Sequence, residues 1–338
     1  PHIILIYCFI FKEKKLKIHD FKKLLKLIHK SQFKYIMIIY INFMYKPEYF
    51  FKNIFLRKKE NLYIINEDDK YTKNFSKQWE KYRNIQIDSL NNFDISKKFL
   101  EKLLFNNISS LKNKKVLEIG CGAGRFTEYI VRVAKICISI DLSSSIYFNI
   151  AKKSENLFLV KTDLHELISN NKFDVVICRG VLQHTPNPFK SILKLYEFVN
   201  SNGKVYFDIY PMPKIGKIHP KYLIWRPLIK SVFSYEQYEK ILIKNIDKLL
   251  KIKRFIKKIF FNSKFISDCF IPVWDYKNEI DLTNKQLNDF SILDTLDGIF
   301  SKYDNPKSNK QIVTFLKKNN IKIINTLKKR NYFETQLN

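Results

Sequence analysis

The chain has 338 residues and a net charge of +29, from 61 Lys and Arg against 32 Asp and Glu; that is length enough to bury a full core in one large domain with additions. Only eight of the basic residues are arginine, and Lys, Asn, Ile and Phe recur throughout, so the charge reads as coding bias and argues against an arginine-built nucleic-acid recognition helix. Cys8, Cys121, Cys137, Cys178 and Cys269 form no CxxC pair, which argues against a disulfide framework or a thiolate metal site and fits a reducing cytoplasm.

Ile3 to Phe11 and Tyr35 to Tyr45 are apolar runs of about ten residues, short of the roughly 20 that span a bilayer. They read as buried or interfacial helices of a basic N-terminal extension, residues 1–70. The sequence starts at Pro1 without a methionine and so reads as a processed chain or a fragment. Glu67-Asp68-Asp69-Lys70 is a polar break that marks the boundary. Past it, Phe75, Gln78, Trp79, Tyr82 and Gln86 recur at three-and-four spacing, which sets them on one helix face.

Residues 114–124 read Lys-Lys-Val-Leu-Glu-Ile-Gly-Cys-Gly-Ala-Gly. A buried strand, Val116 to Ile119, runs into a turn where Gly120, Gly122 and Gly124 let backbone N–H groups approach a ligand at a helix N-terminus. The spacing is GxGxG, not the GxGxxG of nicotinamide enzymes, and Glu118 at the strand end repels a pyrophosphate but suits a cationic ligand. Ile136 to Ile140 forms a second strand ending in Asp141, an acid placed to accept both hydroxyls of a ribose.

A third strand, Leu157 to Val160, ends near Asp163 and Leu164, an edge suited to an adenine. The fourth, Phe173 to Cys178, leads into Arg179-Gly180-Val181-Leu182-Gln183-His184; the fifth, Lys204 to Ile209, follows the turn Asn202-Gly203. Asp174, between a turn and the fourth strand, reads as structural. Residues 213–270 hold 14 basic and 4 acidic groups. From Tyr235 to Phe261 basic and apolar residues alternate at helical spacing. Such a helix can lie on a membrane, cover the site, receive an anionic substrate, or simply present a solvated lysine face over an apolar seam.

VLEIGCGAGRF, IDLSSS, TDL and FDVVICRGVLQHTPNP together resemble class I S-adenosylmethionine-dependent methyltransferases, nearest the type 11 small-molecule group. The likeness covers residues 75–212 well. Beyond them, Ile292-Leu293-Asp294-Thr295-Leu296-Asp297 and Tyr303-Asp304-Asn305-Pro306 are similar to a substrate-side segment of glycan-cluster members. The resemblance implies an α/β, Rossmann-like fold: a seven-stranded, mostly parallel sheet with helices on both faces and an antiparallel last strand, plus helical additions at the N-terminus and after the fifth strand.

The implied domains are a basic helical extension at 1–70, a cofactor-binding core with its lead-in helix at 71–212, a basic helical substrate-side insertion at 213–290, and the completion of the sheet at 291–338. In that last part a helix through Leu316, an apolar run from Ile321 to Leu327 and a short Tyr332-Phe333 segment fit the plan. Position by position, the resemblance puts the methionine part of S-adenosyl-L-methionine against Glu118, Gly120, Cys121 and Gly122, with Gly124 completing the loop. Its ribose falls on Asp141 and its adenine between Leu142, Asp163 and Leu164, with Arg179 offering mainly its backbone carbonyl. The lead-in helix, with Trp79, lies across the cofactor mouth as a lid in similar enzymes; its plain alternative is ordinary packing on the sheet.

Because a sulfonium already carries an activated methyl group, such an enzyme must hold a nucleophile in line and exclude water. A hydroxyl nucleophile also needs a base, and His184, just past the fourth strand, is the candidate. Its plain alternative is a histidine that orders the Thr185-Pro186-Asn187-Pro188 loop. Asp208, Tyr210 and Tyr303 are weaker candidates for substrate contact.

The expected function is methyl transfer, most readily O-methylation, to a small-molecule, sugar, glycan or lipid-linked acceptor. A tRNA or rRNA acceptor is the runner-up, favoured by charge alone, and a noncatalytic cofactor-binding or membrane-associated scaffold is the rival from another class. The expectation includes no metal and no nucleic-acid partner, and a cytoplasmic protein for which peripheral contact with the inner membrane face stays open.

Overall fold

The computed structural model describes residues 45–53, 58–59, 61–91, 93–277 and 282–338, and Lys46–Asn338 form one compact unit. The apolar run Ile3 to Phe11, with Cys8, and all of Tyr35 to Tyr45 but its last residue lie outside the described residues. Among the described residues nine strands form one sheet: β1 (Lys58–Lys59), β2 (Leu62–Ile64), β3 (Lys115–Ile119), β4 (Ile136–Asp141), β5 (Leu157–Lys161), β6 (Phe173–Cys178), β7 (Val199–Asp208), β8 (Ile321–Leu327) and β9 (Tyr332–Leu337). Their order is β1-β2-β5-β4-β3-β6-β7-β9-β8.

The central strands are near-continuous apolar runs because a parallel strand is covered on both faces. Val116, Leu117, Cys137, Ile138, Val176 and Cys178 are all fully buried. From β3 the chain runs through β4 and β5 to one side and through β6 and β7 to the other, and ligands bind at such a reversal, outside the carboxyl ends of the strands. The last strand, β9, inserts antiparallel between β7 and β8, as expected. Its Phe333 stacks on Phe207 with ring centroids 5.2 Å apart. Asp174 is structural as read: its carboxylate accepts from the Lys115 N–H (2.8 Å) and the Asn200 amide (2.9 Å).

The sheet is the Rossmann-like one expected, with two further strands at its edge. Of the extension read as helical up to residue 70, the described part holds a short helix, Pro47–Phe50, together with β1 and β2; β2 pairs parallel with β5 and buries Tyr63. A lysine clamps this edge. Lys161, fully buried at the end of β5, donates to Asp69 Oδ1 (2.8 Å) and to the carbonyls of Glu67 (3.0 Å) and Leu142 (3.1 Å). Burial works to raise the Asp69 carboxyl, but hydrogen bonds from Lys161, Ser76 and Ser144 outweigh it and hold it below the ordinary value.

Helices α1 (Lys73–Gln86), α2 (Ile95–Leu103), α3 (Pro188–Tyr196), α4 (Tyr235–Ile259), α5 (Asn284–Phe300) and α6 (Asn309–Lys318) cover the sheet and extend it. Ser234 with Gln237 and Thr283 with Gln286 close reciprocal capping boxes that start α4 and α5. The domain boundary read at 290/291 therefore falls inside α5, which the capping box starts several residues earlier. Along α4, Tyr238, Leu242, Ile246 and Leu250 are buried at every fourth position against Ile292, Leu296 and Ile299 of α5, in an apolar cluster that also takes in Tyr82 of α1. No helix among the described residues is long and apolar enough to cross a membrane.

Candidate active site

The turn after β3 is built so that only glycine fits. Gly120 has φ +77, and a Cβ there would lie 2.0 Å from Val181 Cγ2. The N–H groups of Gly120 and Cys121 donate back to the Ile140 carbonyl at 2.8 and 3.1 Å, tying the loop to the end of β4. Gly122 then donates its N–H to Asp141 Oδ2 at 2.7 Å. The other oxygen of Asp141 accepts from the Ser143 N–H (2.7 Å) and hydroxyl (2.6 Å). Desolvation raises the Asp141 carboxyl, and the bonds from Ser143 and Gly122 oppose the rise.

A cavity of about 800 Å³ opens over this loop. Trp79, Gly120, Cys121, Asp141, Leu142, Asp163, Leu164, Arg179 and His184 all line it, so most of the residues singled out in the sequence meet in one place. From α1, Phe75, Gln78, Trp79, Tyr82 and Gln86 line it together, on the single face their spacing defined. The Trp79 indole is seated on the loop: a Cβ at Gly122 would lie 3.0 Å from its Cε2. Asp163 Oδ1 accepts from the His165 N–H at 2.9 Å and so shapes the turn after β5.

Glu118, Gly122 and Gly124 are not on the cavity wall. Glu118 is buried beneath the loop, where its Oε2 accepts from the hydroxyls of Thr127 (2.7 Å) and Ser139 (2.6 Å) while Oε1 has no hydrogen-bond partner. Burial pushes its carboxyl up to about 7. The expectation that it faces a cationic ligand is therefore corrected; β3 points this side chain into the sheet's covering layer. The Arg179 side chain turns to the Tyr332 hydroxyl at 2.9 Å.

His184 is 7% exposed. Its Nδ1–H donates to the Tyr303 carbonyl at 3.0 Å, a partner that fixes the tautomer. This leaves Nε2 facing Asp297 Oδ2 at 3.6 Å. Asp297 lies on α5; burial raises its carboxyl, against the pull of His184. One turn earlier Asp294 accepts from the Tyr276 hydroxyl, and burial pushes it up to about 6. Both acids line the cavity. Sequence reading named the segment but neither acid as a site residue; their three-residue spacing on one helix face was the available signal. Among the described residues no group of three or more His, Cys, Asp or Glu is placed to hold a metal ion.

A glycine turn at the reversal of a parallel sheet, with an acid at the tip of the neighbouring strand, defines a nucleotide-binding α/β protein. More narrowly, residues 117–207 match the family model described as a methyltransferase domain. The ubiquinone biosynthesis O-methyltransferase of Coxiella burnetii is 29% identical over 105 residues, 29% of this chain and 44% of that one. The enzyme of the same name from Rickettsia canadensis is 31% identical over 145 residues, 40% of this chain and 59% of that one. The chain thus spans about half the length of these curated relatives. Magnesium protoporphyrin IX methyltransferase from Synechocystis PCC 6803, solved with bound SAH, superposes with a TM-score of 0.44 at 14% identity, covering 80% of this chain and 98% of that one.

Proposed function

We propose that the protein transfers the methyl group of S-adenosyl-L-methionine to a hydroxyl of a small-molecule, sugar, glycan or lipid-linked acceptor. The observation that carries this reading is the meeting of Asp141, the glycine turn and the His184–Asp297 pair at one cavity. The residues present fit the cofactor: a turn that tolerates no Cβ, a strand-tip carboxylate beside it, and apolar Leu142 and Leu164 just after β4 and β5. In this reading Asp141 accepts the ribose hydroxyls, Leu142, Asp163 and Leu164 flank the adenine, Arg179 offers its backbone carbonyl, and Trp79 closes the mouth. When bound, S-adenosyl-L-methionine supplies an already activated methyl group.

The remaining task of the chain is to position a hydroxyl and take its proton. His184 Nε2 accepts that proton, and the Asp297 carboxylate, 3.6 Å away, steadies the imidazolium so formed. Helices α4 and α5 form the acceptor side, and the basic outer face of α4 makes peripheral contact with an anionic membrane. The curated relatives named as O-methyltransferases support oxygen as the acceptor atom.

Calorimetry with S-adenosylhomocysteine tests the cofactor assignment. Asp141→Ala should weaken binding by about 1–3 kcal/mol through lost charge-assisted hydrogen bonds. Unchanged affinity would end the ribose assignment, and tight binding of NADH instead would end the reading.

A further inference from the structure

Two guanidinium groups share one end of the cavity. Arg125, just after the glycine turn, and Arg179, just after β6, both line it. Both stack on the same two rings: Arg125 Cζ lies 5.3 Å from the Phe99 centroid and 5.2 Å from that of Phe126, and Arg179 Cζ lies 4.9 and 5.1 Å from the same centroids. Lys329 and Arg330 line the cavity as well.

Two like charges brought together in an enclosed site call for an anion, yet no carboxylate among the described residues lies within 4.0 Å of either guanidinium. The nearby acids hydrogen-bond elsewhere, although Asp208 still acts on Arg179 through space. Asp88 accepts from the N–H groups of Ser96 (3.0 Å) and Lys97 (2.9 Å) and from the Tyr129 hydroxyl (2.9 Å). Asp208 accepts from the Gly180 N–H (2.6 Å), and Asp294 accepts from Tyr276. The arginines are held by neutral oxygens instead: Arg125 by Ser96 Oγ (2.9 Å) and Gln86 Oε1 (2.8 Å), Arg179 by Tyr332 Oη (2.9 Å). Buried Arg125 Nη2 and Arg179 Nε have no hydrogen-bond partner.

Enclosure and, after it, the Arg179 charge pull the Arg125 guanidinium down to about 10. Burial also works against the Arg179 charge, but Asp208 and Tyr332 outweigh it and hold Arg179 above its ordinary value. Both groups are therefore cations at neutral pH. Fixed on aromatic faces with N–H forks to spare, they match a planar or tetrahedral oxyanion better than any neutral group.

We propose that Arg125 and Arg179 form an anion subsite that holds a carboxylate or phosphate group of the methyl acceptor. The assignment of the anion to the acceptor rests on the methyltransferase reading, and it narrows the acceptor class to molecules carrying a hydroxyl for His184 and an oxyanion for the arginine pair. Asp294 and Asp297 on the α5 wall leave the arginine end as the place where a negative group is attracted.

The test titrates the full chain with inorganic phosphate and separately with benzoate, each with and without S-adenosylhomocysteine. The expected result is saturable binding of at least one anion, weakened about tenfold or more in Arg125→Gln, while the affinity for S-adenosylhomocysteine stays within a factor of about two. Tighter phosphate than benzoate identifies a phosphorylated acceptor, and the reverse a carboxylated one.

Phenylglyoxal labelling of the unmutated protein reads the site without a variant: the bound anion should slow modification of Arg125 and Arg179 but not of exposed Arg132. Absent anion binding, equal binding in Arg125→Gln, or labelling indifferent to the anion overturns the subsite even if S-adenosylhomocysteine binds. Anion binding without any binding of S-adenosylhomocysteine ends the assignment of that anion to a methyl acceptor.

Discussion

Glu118 is 2% exposed beneath the glycine turn, and desolvation pushes its carboxyl from an ordinary 4.5 up to about 7, against the hydrogen bonds of Ser139 and Thr127. The folded chain therefore keeps a proton here that the unfolded chain has already released. Stability from protonated Glu118 is full below about pH 4.5 and is lost as pH rises to about 7, on the order of 3 kcal/mol in all. Glu118→Gln should accordingly match the parent protein at about pH 5 and exceed its unfolding free energy at about pH 8; a gap that does not change with pH would show that Glu118 does not titrate there. His184 makes a different prediction. As the base, its replacement by alanine should lower turnover about a hundredfold or more while S-adenosylhomocysteine affinity holds. An equal loss of both would make it the histidine that orders its loop, through the Tyr303 carbonyl it holds at 3.0 Å.

The strand–turn–helix element after β3 works as one hydrogen-bonded piece. Gly124 has φ +97, and a Cβ there would lie 2.6 Å from Asn149 Oδ1. That oxygen accepts from the Ala151 N–H at 3.0 Å, and the Asn149 amide donates to Thr127 Oγ1 at 3.2 Å, the hydroxyl that in turn serves Glu118. Gly124→Ala should cost about 1–3 kcal/mol in denaturant unfolding and weaken cofactor binding with it; a neutral substitution would mean the turn is not held through Asn149. The element was readable because its signals are local: an apolar parallel strand, then glycines where φ is positive. The β1–β2 edge was not, since two- and three-residue strands carry no periodicity and are held by Lys161 from a distant part of the chain. Asp294 and Asp297 were equally hidden, because they lie on a helix buried nearly all round and meet their partners, Tyr276 and His184, only by tertiary packing. Arg125 stood in plain view inside the glycine motif, but nothing local says that Arg179 shares its two aromatic platforms.

Across the whole molecule about a third of the charge excess has one place. The 14 basic and 4 acidic residues of 213–270 fall on α4 and its flanks. There the outer surface also exposes Ile252, Phe255 (64%), Ile259, Phe261 (99%), Phe265 and Phe270. A buried seam accounts for Leu242, Ile246 and Leu250, but not for the exposed aromatics. Lysines set around exposed aromatics suit an anionic lipid surface, where each cation near the headgroups contributes about 1 kcal/mol and the rings bury in the interface. Coding bias would explain the lysines alone and predicts no preference among surfaces. The full chain should therefore sediment with vesicles containing phosphatidylglycerol and remain in solution with pure phosphatidylcholine, with binding falling as salt rises. Phe255→Ser with Phe261→Ser should release it while leaving S-adenosylhomocysteine affinity intact, because neither residue lines the cavity. Equal partition onto both vesicle types, or binding untouched by the two serines, would reduce the patch to a solvated lysine face.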